Sequence, residues 1–337
     1  MTVILPHHYH ARRALEQARV VCITPSDAER QDIRPLRIGF LNVMPKAESY
    51  EYSLLQPLGR SILQIEPLWI RLETHAYTSS DHGHIQNLYV TFEEAVHRQP
   101  LDGLLLTGAP VERIPFEQVQ YWNELVSILT YARRNVASTL GICWGGMALA
   151  RLLDLDKAML QKKLFGVFQN RSLLRSHRIT GETDDVFWCP QSRHSGIPED
   201  VLERAAVAGT VRLLSHSPTT GYTIFESSDQ RYLMHLGHPE YEPERLVYEY
   251  QRDRETGTTG VEPPANMDIE APVNTWRSHR NEFFSQWLKF IYDTVSFGSS
   301  PLVRAGSSRP VHMQTETAFQ VSAQASNALE NAGGNTR

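Results

Sequence analysis

Four times between residues 36 and 154, an apolar run of strand length gives way to a segment with helical spacing. "LRIGFLNVM" (36–44) precedes "SYEYSLLQPLGRSI" (49–62), a helical pattern whose second half is weakened by Pro57. "QIEPLWIRL" (64–72) reads as the next strand and 74–90 as a loop. "TFEEAVHRQ" (91–99) then opens with a Thr cap and acidic residues, as a helix start does. "LDGLLLTGAP" (101–110) precedes "PFEQVQYWNELVSILTYARRN" (115–135), and "ASTLGICW" (137–144) precedes "GGMALARLLD" (145–154). Neighbouring strands joined by helices must run parallel, and such a sheet hides both faces under helices. The expected class is therefore α/β, a mostly parallel sheet flanked by helices. At 337 residues with 41% hydrophobic content, the chain can build a sizeable core.

The rest of the chain fills in around this unit. Residues 1–34 are mixed and polar and read as an N-terminal arm, with the main α/β domain spanning 35–297. The stretch 160–215 is more polar, with short strands expected. "GYTIFESSDQRYLMHLGHPE" (221–240) reads as a hairpin around Ser-Ser-Asp-Gln that ends in a loop. Helices follow at 243–257, closed by Gly257, and at 275–295. Residues 298–337 are poor in large apolar residues and are expected to form a disordered tail. The net charge of −5 gives no electrostatic case for nucleic acid as a partner. No apolar stretch is long enough for a membrane span, and the opening residues lead us to expect no secretory signal. Three cysteines without a C-x-x-C pair predict a cytoplasmic protein with neither a disulfide framework nor a metal centre.

One of those cysteines, Cys143, stands where a strand turns abruptly into a helix, flanked by Gly141, Gly145 and Gly146. Such a corner projects its side chain at the carboxyl edge of the sheet, where α/β proteins bind ligands. It also sits at a helix N-terminus, whose free N–H groups favour anions and so a thiolate. Cys143 is thus the candidate nucleophile, and the N–H of the next residue, Trp144, a candidate oxyanion donor. A nucleophilic thiol needs a base and the base an orienting group. His238 and Glu240, two apart in an extended "HLGHPE" and on one side of it, supply both.

The pairing of Gly-x-Cys-x-Gly with His-Pro-Glu resembles the class I glutamine amidotransferase fold, a flavodoxin-like arrangement, here with added C-terminal helices. Over residues 30–297 the chain more closely resembles the homoserine O-acyltransferase (homoserine transsuccinylase) family. The matching stretches include "IRPLRIGFLNVMPK" (33–46), "DGLLLTGAP" (102–110), "STLGICWG" (138–145), "KLFGV" (163–167), "SRH" (192–194), "GHPEYE" (237–242), "QRD" (251–253) and "NTWRSHRNEFFSQWL" (274–288).

This resemblance implies a ping-pong acyl transfer in methionine biosynthesis. Acetyl-CoA or succinyl-CoA would be co-substrate, no cofactor would be needed, and L-homoserine would accept the acyl group. Cys143 would carry it as a thioester, His238 would act as base, and Glu240 would orient His238. Lys163, Ser192 and Arg252 match the amino-acid-binding positions, with Asp253 and Glu249 as competing partners for Arg252 on its own helix. Gly108 would be the second oxyanion donor. A homodimer is implied as well.

The resemblance also marks the residue two after the proline of "TGAP" as the acyl selector, glycine going with succinyl and glutamate with acetyl transfer. Here it is Glu112, whose charge would repel the distal carboxylate of succinate. Three places depart from the family pattern: Ala47 and the replaced Thr-Glu-x-Gln after it, Met147, and the looser helix start at Gly145–Gly146. They leave L-serine, as in cysteine biosynthesis, open as acceptor. A glutamine-hydrolysing subunit is a further alternative. It is weakened by the missing Gln after Gly-x-Cys-x-Gly and by the C-terminal "TWRSHRNEFF", which it does not explain.

Overall fold

The computed structural model describes residues 2–257 and 260–297. Its strands are β1 (Thr2–Ile4), β2 (Val21–Ile23), β3 (Leu36–Leu41), β4 (Gln64–Arg71), β5 (Val90–Thr91), β6 (Gly103–Leu106), β7 (Ser138–Ile142), β8 (Ala158–Ser172), β9 (Val186–Gly196), β10 (Val211–Ser217), β11 (Gly221–Ser227) and β12 (Tyr232–His235). Its α-helices are α1 (Arg12–Gln17), α2 (Pro25–Ala28), α3 (Ala47–Leu58), α4 (His82–Leu88), α5 (Phe92–Arg98), α6 (Trp122–Asn135), α7 (Trp144–Arg151), α8 (Glu199–Val207), α9 (Pro243–Glu255) and α10 (Arg277–Phe297).

All strands join one sheet in the order β2-β1-β4-β3-β6-β7-β12-β11-β10-β8-β9, with β5 beside β4. From β2 through β12 neighbours are parallel, and beyond β12 they alternate antiparallel. The α/β class is as expected. Every residue of β3, β6, β7 and β12 is buried, because helices cover both faces. Leu36, Ile38 and Phe40 pack with α3 and α10 on one face, and Leu104 and Leu106 with α5, α6 and α7 on the other.

Local signals explain most boundaries. Thr91 and Glu94 form a reciprocal capping box that starts α5. The helix expected over 49–62 stops at Leu58, because Pro57 lies in its last turn and Gly59 caps it. Gly257 sits at φ 71° beyond α9, in the left-handed conformation that ends a helix.

Three expectations need correction. Residues 1–34 are not an arm: β1 pairs with β4, β2 pairs with β1, and Val3 and Leu15 are fully buried. Strands of three residues are too short to show a period. The loop 74–90 contains α4, capped by Asp81 through the His84 N–H at 2.7 Å. The polar middle forms not short strands but the long hairpin β8–β9, whose β8 residues 158–162 are exposed and so carry no apolar alternation. The tail expected over 298–337 lies outside the described residues.

Candidate active site

Three adjacent parallel strands, β6, β7 and β12, end side by side, with Leu106 opposite Gly141 and His235 opposite Ile142. The residues just beyond those ends are Gly108, Cys143 and His238. Sheet order alone therefore gathers residues up to 130 apart in sequence at one edge, the carboxyl edge where such sheets bind ligands. They border a cleft of about 500 Å³ that also receives Glu112, Lys163, Ser192 and Arg252.

Cys143 is the N-cap of α7 and has φ 51°, ψ −114°, a backbone conformation rare for any residue with a side chain. The backbone is held there by its N–H to the His235 carbonyl (2.8 Å) and by two glycines. A Cβ on Gly141 would lie 2.4 Å from the Gly145 oxygen, and one on Gly145 would lie 2.5 Å from the Leu106 oxygen. Gly145–Gly146 is thus no looser helix start: it lets α7 seat directly on β6, with both residues buried. Trp144, first in α7, has no carbonyl a turn back, so its N–H is free for an oxyanion. A Cβ on Gly108 would be 3.5 Å from both Cys143 Cβ and His238 Cε1, so this glycine lies against both side chains.

His238 Nδ1 lies 2.7 Å from Glu240 Oε1, and the imidazole borders the same cleft as Cys143. Burial alone would push the imidazole down. Cys143 and Glu240 outweigh it and hold His238 well above the usual histidine range. The Tyr241 ring stacks on His238 at 4.1 Å between centroids. The Tyr241 carbonyl accepts from Trp276 Nε1 (2.9 Å) and Arg280 Nη1 (3.2 Å), so α10 and the residue before it fix the loop that bears His238. This gives "TWRSHRNEFF" its purpose.

The expected binding residues lie along one wall. Ser192 Oγ donates to Glu249 Oε2 (2.6 Å), Lys163 Nζ to Asp253 Oδ2 (2.8 Å), and Arg252 to Asp253 Oδ1 through Nε (2.9 Å) and Nη2 (2.6 Å). Arg252 thus takes the intrahelical partner that competes for it. Burial would raise the Asp253 carboxyl, but Lys163 and Arg252 hold it below its ordinary range.

Glu112 faces the same cleft, its Oε2 accepting the His194 N–H at 2.8 Å. Burial raises its carboxyl above the ordinary range, and the His194 and Ser195 hydrogen bonds offset this only in part. Arg113 pairs with His194 and not with Glu112. Burial, Arg113 and Lys163 push His194 down to about 4.

Sequence reasoning missed two contributors, Tyr50 and Arg193, and did not foresee the parts played by Glu249 and Met147. Tyr50 donates to Glu240 Oε1 from α3; it lies within the departure after Ala47, which was the one signal for it. Glu249, buried, accepts from Tyr241 (2.9 Å), Arg245 (3.0 Å) and Ser192. Burial would raise its carboxyl, yet Arg245 and Ser192 keep it low. Arg193 is buried with its nitrogens on Gln191, Ser195 and Thr220, and its charge is felt at Cys143 and Glu112. Met147 is fully buried and takes a 3.7 Å contact from Ser195 Oγ, and so supports this wall from behind.

The family model for homoserine O-succinyltransferase matches residues 2–297. Homoserine O-acetyltransferase of Bacillus subtilis is 35% identical over 86% of this chain and 96% of that protein. The enzyme of the same name from Geobacillus kaustophilus is 37% identical over 86% and 96%, and that of Petrotoga mobilis 36% over 86% and 94%. Among solved structures, a glutamine amidotransferase of Thermotoga maritima aligns with TM-score 0.49 and 10% identity, over 77% of this chain and 99% of that one. A putative GMP synthase subunit of Thermoplasma acidophilum aligns with TM-score 0.48 and 14% identity, over 77% and 96%. Relatives at this identity and coverage set aside the glutamine-hydrolysing alternative. The chain belongs to the homoserine O-succinyltransferase family and is an acyltransferase.

Proposed function

We propose that the enzyme transfers an acetyl group from acetyl-CoA to the hydroxyl of L-homoserine by way of a thioester on Cys143, as a step of methionine biosynthesis. The observation that carries this reading is the shared cleft, which Cys143, His238 and Glu112 all line, with Glu240 buried behind His238 at 2.7 Å.

In the first half, the Cys143 sulfur attacks the thioester carbonyl while His238 holds the thiol proton. The oxyanion lies against the N–H groups of Gly108 and Trp144. The carbon–sulfur bond to CoA breaks, and CoA leaves as a thiol with the proton from His238. Acylation neutralises the sulfur, so His238 loses the charge that raised it and is free to act as a base. In the second half it takes the homoserine hydroxyl proton as that oxygen attacks the acyl-enzyme. The Cys143–acyl bond breaks and the proton returns to sulfur. Arg252 and Lys163 would hold the α-carboxylate once Asp253 yields them. The buried Glu249, beside Ser192, would hold the ammonium.

The test is to mix enzyme with acetyl- or succinyl-CoA, weigh the protein, then add homoserine or serine. The reading requires a gain of one acetyl group on Cys143 that homoserine discharges. No adduct, or an adduct in Cys143→Ala, would overturn it.

A further inference from the structure

On α3, next to Tyr50 in sequence, Glu51 is buried without any exposure among donors from two other segments, the N-terminal segment and α4 with the residue after it. Tyr89 (2.9 Å) and His84 Nε2 (2.6 Å) reach its Oε1, and Tyr9 reaches its Oε2. His10 Nδ1 lies 3.8 Å from Oε2. Ligand atoms of His10, Glu51 and His84 all fall within 4.8 Å of one another, in the group of this kind found among the described residues. Nothing in acyl transfer uses these residues.

From this we infer that His10, Glu51 and His84 form a binding site for a divalent transition-metal ion of the zinc class, a site the cysteine count does not anticipate. Two imidazoles and one carboxylate are the donors such ions choose, whereas magnesium and calcium prefer oxygen alone. In a tetrahedral zinc site with bonds of about 2.0–2.1 Å, ligand atoms stand about 3.3 Å apart; here His84 Nε2 is 2.6 Å from Glu51 Oε1, His10 Nδ1 is 3.8 Å from Oε2, and all three ligand atoms lie within 4.8 Å, so small side-chain movements would close the site on an ion.

The surroundings support the inference independently. His10 Nε2 is 2.9 Å from the Glu48 carbonyl, which can only accept, so Nε2 carries the proton and Nδ1, facing Glu51, has a free lone pair. Tyr9 and Tyr89 hold the carboxylate from behind, and Asn42 in turn donates to Tyr89 at 2.9 Å. Metal-binding carboxylates and imidazoles are oriented by outer partners of this type. The ion would replace the proton between His84 and Glu51. His10, at 38% side-chain exposure, would leave a coordination position to water. The site would add a metal link between the N-terminal segment, α3 and α4, pieces that hydrogen bonds to Glu48 and Glu51 already connect.

The test is a titration of the metal-free full chain with Zn2+ alone and Co2+ alone. One equivalent should bind per chain, with Co2+ giving visible d–d absorption of tetrahedral intensity and saturating Zn2+ raising the Tm by several degrees. His10→Ala and His84→Ala should each lose the Co2+ spectrum and the Tm shift while keeping acyl transfer. His7→Ala with His8→Ala should keep both, and so should Cys143→Ala, which removes the one thiol at the catalytic cleft. The inference is overturned if the wild type retains no ion after dialysis, or if binding survives both His10→Ala and His84→Ala.

Discussion

Tyr50 and Glu240 stand 190 residues apart in the chain, yet the Tyr50 phenol donates to the same Glu240 oxygen that holds His238 at 2.7 Å. The orienting carboxylate is itself oriented. Glu240 is fully buried, and its other oxygen has no partner. Losing the phenol would therefore leave a buried carboxylate held by the imidazole alone. Tyr50→Phe should reduce kcat about tenfold with little change in KM, since a hydrogen bond to a charged group contributes about 1.5–3 kcal/mol. Steady-state kinetics decides it, and an unchanged kcat would remove Tyr50 from the positioning of the base.

Glu240→Gln tests the electrostatics of His238. The carboxylate raises the imidazole, so its removal must lower it. A base that is harder to protonate keeps its neutral form to lower pH, so the acid limb of the homoserine half-reaction should move to lower pH. The plateau rate should fall at the same time, by about 10²-fold or more, because the tautomer is no longer fixed. Single-turnover discharge of the acetyl-enzyme across pH gives both readings. A limb that stays in place, or moves to higher pH, would show that Glu240 does not set the basicity of His238.

Backbone strain at Cys143 gives a prediction about stability. Glycine normally costs about 0.5–1 kcal/mol relative to alanine. At φ 51°, ψ −114° that order should reverse, because only glycine occupies this region freely. Cys143→Gly should be the more stable of the two variants by about 1 kcal/mol, and both should be inactive. Denaturant melts of the pair provide the comparison, and an alanine variant more stable than the glycine variant would contradict the strain.

Glu112 should make acetyl-CoA the preferred donor. Two like charges about 5 Å apart at an effective dielectric of about 20 repel by about 3 kcal/mol, which Arg193 reduces. A preference of tenfold to a hundredfold in kcat/KM should result, and Glu112→Gly should shift it toward succinyl-CoA. Because burial raises the Glu112 carboxyl, the preference should also weaken as pH falls and the group takes up a proton. A wild type that favours succinyl-CoA, or a preference unmoved by Glu112→Gly, would exclude this residue as the selector.

The central sheet and the positions of Cys143, His238 and Glu240 were legible because each rests on a local signal. β3, β6 and β7 are continuous apolar runs, and the Gly-rich corner and the His-Pro-Glu turn are short motifs. What the sequence did not reveal depends on distant pairing. β1 and β2 are too short to show a period, and they count as strands only because β4 lies beside them. The role of Tyr50 needs α3 brought against the loop after β12, and Glu249 accepts not only from nearby Tyr241 and Arg245 but from Ser192 on distant β9. Arg252 shows the reverse case: its partner Asp253 is adjacent, so the competing pairing could be read from the sequence.

Trp276 and Arg280 grip the Tyr241 carbonyl, and this imposes an order on the birth of the enzyme. A chain emerging from the ribosome exposes Cys143 first and His238 nearly a hundred residues later, but the loop that carries His238 stays unclamped until α10 docks. A partly made chain thus holds the Cys143 thiol before the loop of His238 is secured. The two side chains form a stable pair only after α10 has been made.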